Sequence, residues 1–175
     1  MMNRFTLTLA AAASGLTFAT AAFAGPQYID RTGYAASGYD VVAYFSLTQV
    51  PVGQTQARPV PGNADITAEY NGAKFAFSST ENRDTFLANP AKYAPQYDGH
   101  CAYGVAQGNK VPANPNLWRI VDGKLYLNIT VDIEDYWEDN IPGNLKKSER
   151  NWVSLERRRA SRDRIPQFKS SAPES

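Results

Sequence analysis

A single histidine and a single cysteine occur in the 175 residues, and they stand side by side as His100 and Cys101 within "QYDGHCAYGVAQG" (residues 96–108). Three outcomes suit such a pair. A thiolate and an imidazole are donors for a soft ion such as copper or zinc. An imidazole near a thiol is also the base that a nucleophilic cysteine requires. The third outcome involves no chemistry: a cysteine beside Ala102 and Tyr103 packs as a small buried hydrophobe. Adjacent side chains leave a strand on opposite faces and diverge by about 100° on a helix. One ion held by both therefore needs a tight turn, which Gly99 permits. Disulfide exchange would lack a resolving cysteine, and no triad or paired acids stand out elsewhere, so the chain reads as a binding module rather than an enzyme.

His100 and Cys101 are thus the candidate metal ligands. Both methionines, Met1 and Met2, lie in the leader described below, so a closed soft-metal site needs donors from a second copy, a periplasmic protein partner or an outside ligand. Other side chains carry weaker signals. Asp40 could offer oxygen to a metal or act as a turn residue. Tyr93, Tyr97 and Tyr103 could line a pocket or join the core. The acidic run from Asp132 to Asp139 around Trp137 lacks the spacing of a calcium loop and reads as a solvated loop. The cluster from Arg157 to Arg164 reads as exposed charge.

The elements that must position these residues start after a leader. Arg4 precedes an uncharged, largely apolar run to Phe23, and Ala22-Phe23-Ala24 offers small residues where a signal peptidase cuts. Residues 1–24 read as a cleaved secretory signal, which places the rest in the periplasm or outside the cell. No later stretch reaches the roughly 20 apolar residues of a membrane span. The 18 basic and 17 acidic residues nearly cancel, giving no general drive toward nucleic acid. A lone cysteine forms no internal disulfide, so packing alone must stabilise the fold.

Asn71-Gly72 and Asp122-Gly123 each separate short runs of strand-forming residues, the signature of a hairpin with a primed turn. Together they predict one small antiparallel sheet. "VVAYF" after Asp40 suits a buried strand. Ser78 and Glu81 have the spacing of a capping box for a helix over residues 79–88, and Leu145, Trp152 and Leu155 recur near a helical period over residues 144–159. The class is α+β, with a single domain over residues 25–160 and a mobile tail over 161–175. No internal repeat is evident beyond the two hairpins.

The motifs "GYDVVAYF", "YNGAKFAFSSTENRDTFLANPAKYAPQY", "GHCAYGVAQG", "DGKLYLN" and "NW" resemble the secreted bacterial branch of the YHS-domain family. The resemblance implies a YHS-like fold and an accessory or binding role. Metal-associated members of the wider family, some attached to copper-transporting ATPases, carry one cysteine after the hairpin's aromatic residue and another four residues later. Ser78 and Asn82 stand at those positions here, so the resemblance supports the fold more than copper chemistry. A protein-interaction or structural module without metal is the alternative it leaves open, with a thiol-dependent enzyme third.

Overall fold

Turn chemistry sets the framework. In a computed structural model that describes residues 25–173, Asn71 and Gly72 (φ 50° and 71°) and Asp122 and Gly123 (φ 49° and 71°) adopt the left-handed angles of primed turns. The elements in order are β1 (Asn63–Tyr70), β2 (Ala73–Phe77), α1 (Thr80–Ala88), α2 (Pro90–Tyr93), α3 (Ala102–Ala106), β3 (Asn114–Val121), β4 (Lys124–Asn128), α4 (Val131–Glu138) and α5 (Ile141–Leu155), with short 3-10 turns between them. The α+β class is the one expected. The expected leader, residues 1–24, lies outside the described residues. Among the described residues no helix is long and apolar enough to cross a membrane.

The hairpins do not merge. Each forms its own two-stranded antiparallel sheet, and a sheet that small needs a covering element to be stable. On the first, Phe86 of α1 is fully buried, with its ring 4.9 Å from Phe75 and 5.1 Å from Phe77. On the second, Trp137 of α4 is fully buried 5.6 Å from the Tyr126 ring. Burying an aromatic side chain of this size contributes roughly 1.5–3 kcal/mol.

A constant displacement along the chain carries β1 onto β3, β2 onto β4 and the start of α1 onto the start of α4. It also superposes the register breaks, between Asn63 and Thr67 and between Asn114 and Trp118, and carries Phe86 onto Trp137. Upstream, Ala36, Ser37 and Gly38 (φ 48°, 51°, 80°) mirror Tyr97, Asp98 and Gly99 (φ 56°, 53°, 74°). The molecule is therefore two ββα units of one plan. The first has a longer connection, residues 47–57, which crosses to the second sheet. There Ala57 O accepts from Trp118 Nε1 at 2.8 Å and Val50 O from Arg119 Nη1 at 3.1 Å.

Several expectations are corrected. "VVAYF" forms a turn and a 3-10 helix (Ala43–Ser46) instead of a strand. The cap of α1 is Ser79, whose Oγ accepts from Asn82 N at 3.1 Å, one residue after the expected Ser78. The later helix starts at Ile141, where Asn140 Oδ1 accepts from Gly143 N at 3.0 Å. The acidic run is helix α4 rather than a loop, with Glu138 buried in an ion pair with Arg119. Apart from these corrections, residues 161–173 make contacts with the domain: Ile165 and Ala172 are buried, Ser170 Oγ donates to Ser37 O at 2.8 Å, and Ser171 N donates to Tyr39 Oη at 3.1 Å.

Asp40 joins the pieces of the first unit. Its fully buried carboxylate accepts from Val42 N and Ala43 N on Oδ1 at 2.9 and 3.1 Å. Oδ2 accepts from Ser78 N, Ser78 Oγ and Asn82 Nδ2 at 2.8, 2.6 and 2.7 Å. A hydrogen bond to a charged group contributes about 1.5–3 kcal/mol. Ser78→Ala should therefore cost about that much, more than the ~1 kcal/mol of a lost cap, and Asp40→Ala should cost more still. Urea midpoints of the two variants check both expectations.

Candidate functional site

In the second unit Cys101 takes the place that Asp40 has in the first. Each sits two residues after a left-handed glycine, and each donates its own N–H to a valine carbonyl, Asp40 to Val60 at 2.9 Å and Cys101 to Val111 at 3.1 Å. The Cys101 sulfur caps α3, accepting from Gly104 N at 3.3 Å, and the N–H groups of Tyr103 and Ile129 also face it. Its S–H points to Asn128 Oδ1 at 3.5 Å. The residue is fully buried, and burial pushes the thiol up to about 11 against the pull of those N–H groups. At neutral pH the sulfur stays protonated, which makes it a poor nucleophile.

His100 is also fully buried. Ser161 N donates to Nε2 at 3.1 Å, so the proton is assigned to Nδ1, which donates to Tyr97 O at 2.9 Å. Both nitrogens are thus engaged by backbone, and Tyr28 packs edge-on at 5.8 Å. Burial holds the imidazole down at about 4, so it is neutral. His100 N also donates to Tyr97 O at 3.0 Å. The histidine therefore pins the backbone of Tyr97, a bulky residue in a left-handed conformation that costs on the order of 1 kcal/mol or more.

The positions at which the resemblance would place metal ligands do not fit a soft ion. Ser78 and Asn82 supply a hydroxyl and an amide turned onto Asp40, and neither provides the sulfur that soft ions prefer. Among the described residues no group of three or more His, Cys, Asp or Glu side chains could hold a metal ion. Of the expected tyrosines, Tyr97 accepts from His100 through its carbonyl and also faces a cleft, while Tyr103 turns its N–H toward Cys101. Tyr93 packs against Phe45 at 5.1 Å and Tyr103 lies 6.1 Å from Tyr136.

That cleft, with a volume of about 640 Å³, is lined by Tyr97, Tyr126, Trp152, Lys124, Glu149 and Arg157 among others. The Tyr97 ring lies 5.8 Å from Tyr126 and 5.3 Å from Trp152. Burial pushes the Tyr97 hydroxyl up to about 12, so all three rings stay neutral near pH 7. Behind the cleft, the Lys110 ammonium sits 4.8 Å from the Trp152 ring centre and donates to Glu156 O and Arg158 O at 3.0 and 3.1 Å. A cation at the C-terminus of α5 complements its dipole. Asn151 Nδ2 donates to Val105 O and Ala106 O, both at 3.0 Å, fixing α5 on α3. Sequence reasoning missed Lys110, Tyr126 and the joint role of these rings. Its available signal was the aromatic at each of three distant positions.

Comparison with known families adds one finding: the model of the YHS domain matches residues 56–97. The chain contains a YHS domain. The matched span holds β1, β2, α1 and α2 and reaches Tyr97 at the edge of the cleft, so the YHS domain covers most of the first unit, while the second ββα unit lies beyond it. No curated protein and no solved structure matches the chain.

Two expectations follow for the residues flanking the YHS domain. A thiol reagent should label Cys101 only after denaturation, and rapid labelling of the native protein, read by intact mass, would contradict its burial. Burial holds the His100 imidazole at about 4 in the fold, below its ordinary value of 6.5. Its contribution is therefore fully present above about 6.5 and is lost as pH falls toward 4. In urea titrations across this window, His100→Asn should remove that component of the pH dependence, relative to the native sequence.

Proposed function

We propose that this chain is an exported, periplasmic accessory protein that binds a small organic ligand in the cleft of Tyr97, Tyr126 and Trp152. Export is read from the leader sequence. The observation that carries the ligand site is the cleft itself: three neutral aromatic rings in a hollow of about 640 Å³, within the size range of small-molecule sites, with Tyr97 held there in a strained backbone conformation. The rim charges Lys124, Arg157, Glu149 and Glu156 balance, so a ligand gains little from net charge. Ring faces favour a flat or cationic group stacked on them, and the mixed rim suits a neutral or zwitterionic ligand.

The copper or zinc role implied by the resemblance finds less support. His100 has both nitrogens engaged and Cys101 is a protonated, buried cap. Binding of metal there would require unpacking the Ser161 segment, or donors from a partner chain. A thiol enzyme would require an ionised Cys101.

Trp152 provides the test, because the other tryptophans, Trp118 and Trp137, are fully buried. Titration with a panel of zwitterionic and aromatic metabolites should change Trp152 fluorescence and raise the Tm. Tyr97→Ala or Trp152→Ala should weaken binding by tenfold or more, about 1.4 kcal/mol. Tight stoichiometric copper binding abolished by Cys101→Ser, with no ligand bound in the cleft, would overturn this assignment in favour of the metal role.

A further inference from the structure

We propose that cleavage of the leader after Ala24 creates an α-ammonium group on Gly25 that docks onto the buried Asp98 carboxylate and braces the aromatic cleft from behind. This rests on the export and cleavage reading above, and it adds a specific site for the new chain end.

Gly25 is buried, wedged where no side chain can go. A Cβ at this position would overlap Glu156 O and lie 2.7 Å from Asp98 Oδ2. The backbone of residue 25 is thus pressed between the carbonyl end of α5 and a carboxylate. The following residues hold it there: Tyr28 N donates to Asp98 O at 2.8 Å and Tyr28 Oη to Asp163 O at 2.9 Å.

The receiving carboxylate is under-served. Asp98 is 6% exposed. Oδ1 accepts from Gln27 Nε2 at 3.1 Å, whereas among the described residues Oδ2 has no side-chain hydrogen-bond partner. Lys110 forms an ion pair with Oδ2 at 3.8 Å, too long for a hydrogen bond, because its ammonium donates to Glu156 O and Arg158 O. The backbone N–H of Gly25 faces the carboxylate, yet burial still pushes Asp98 up to about 6. Buried charges of this kind are ordinarily paired and fully hydrogen-bonded. An amide nitrogen offers one hydrogen and no charge. The α-ammonium formed by hydrolysis of the bond between residues 24 and 25 offers three hydrogens and a positive charge at the same place, enough for Oδ2 and for the neighbouring Glu156 carbonyl.

The consequence reaches the cleft through short steps. Asp98 follows Tyr97 directly, Lys110 lies over Trp152, and Glu156 is part of the cleft wall. Processing therefore sets the wall on which ligand stacks.

The test uses chains released by a tag protease to begin at Gly25, compared with the same chain acetylated at Gly25 and with one that retains Ala24. The free Gly25 chain should melt higher than both by about 3 °C or more and bind cleft ligand more tightly. Its α-amine should react slowly with an acylating reagent, with each unit of raised amine pKa cutting the reactive form about tenfold. Asp98→Asn should erase the difference between free and acetylated chains whatever it does to the absolute Tm. Gly25→Ala, with a free amine but no room for its methyl, should behave like the extended chain. Equal melting of the three chains, with unprotected amine labelling, would sink the docking. Intact mass of the exported protein reads cleavage separately: a mature end elsewhere than Gly25 refutes the processing step, whatever the three chains show.

Discussion

A buried carboxylate must be surrounded by donors or it unfolds what contains it, and Asp40 meets that constraint with five hydrogen bonds from three separate segments. The turn after Gly38, the end of β2 and the first turn of α1 all close on its two oxygens. None of the three can shift without orphaning a buried charge. The packing of Phe75, Phe77 and Phe86 then follows, because the strand and the helix that carry them are already fixed at their junction.

The second unit keeps the arrangement and changes the acceptor. Cys101 receives N–H groups from the residues two and three further on and from the end of its own β-hairpin, as Asp40 does. A neutral sulfur needs less from such a nest than a carboxylate, and no donor side chains replace Ser78 and Asn82: Ile129 and Ile133 stand at the corresponding places and pack with the core around Cys101. At this junction the first unit is thus held by a carboxylate and its donors, and the second by a thiol and apolar packing. Both nests are satisfied from within: the oxygens of Asp40 and the sulfur of Cys101 are taken up by neighbouring N–H groups.

Local chemistry was legible in the sequence and distant partners were not. Asn-Gly and Asp-Gly revealed both hairpins because a primed turn is decided by two residues. Nothing in those turns says whether two hairpins share a ladder, and here they do not. Of two adjacent serines, the cap fell to Ser79 because Ser78 was claimed by Asp40, far away in the chain. The acidic run looked solvated because the partner that buries Glu138 is Arg119 on another element. Ile165, Phe168 and Ala172 are isolated apolar residues in a polar tail that forms no helix, so the packing of the tail on the domain left little signal. The repeat stayed hidden because it survives in turns, register and caps more than in residue identity. As for the site, the His-Cys pair was visible, but Tyr97, Tyr126 and Trp152 converge only after folding.

Only the first unit has the long connection over residues 47–57, and it reaches across the boundary. Through it Gln49, Val50 and Ala57 serve as acceptors for Ile120, Arg119 and Trp118, and Gly53 N donates to Glu138 at 2.7 Å. Two small sheets of this size could each open alone, since neither contains more than one hairpin. With the connection in place, opening either unit strips hydrogen-bond partners from buried groups of the other. Loss of one half is thereby charged to both, and a duplicated architecture behaves as one cooperative body.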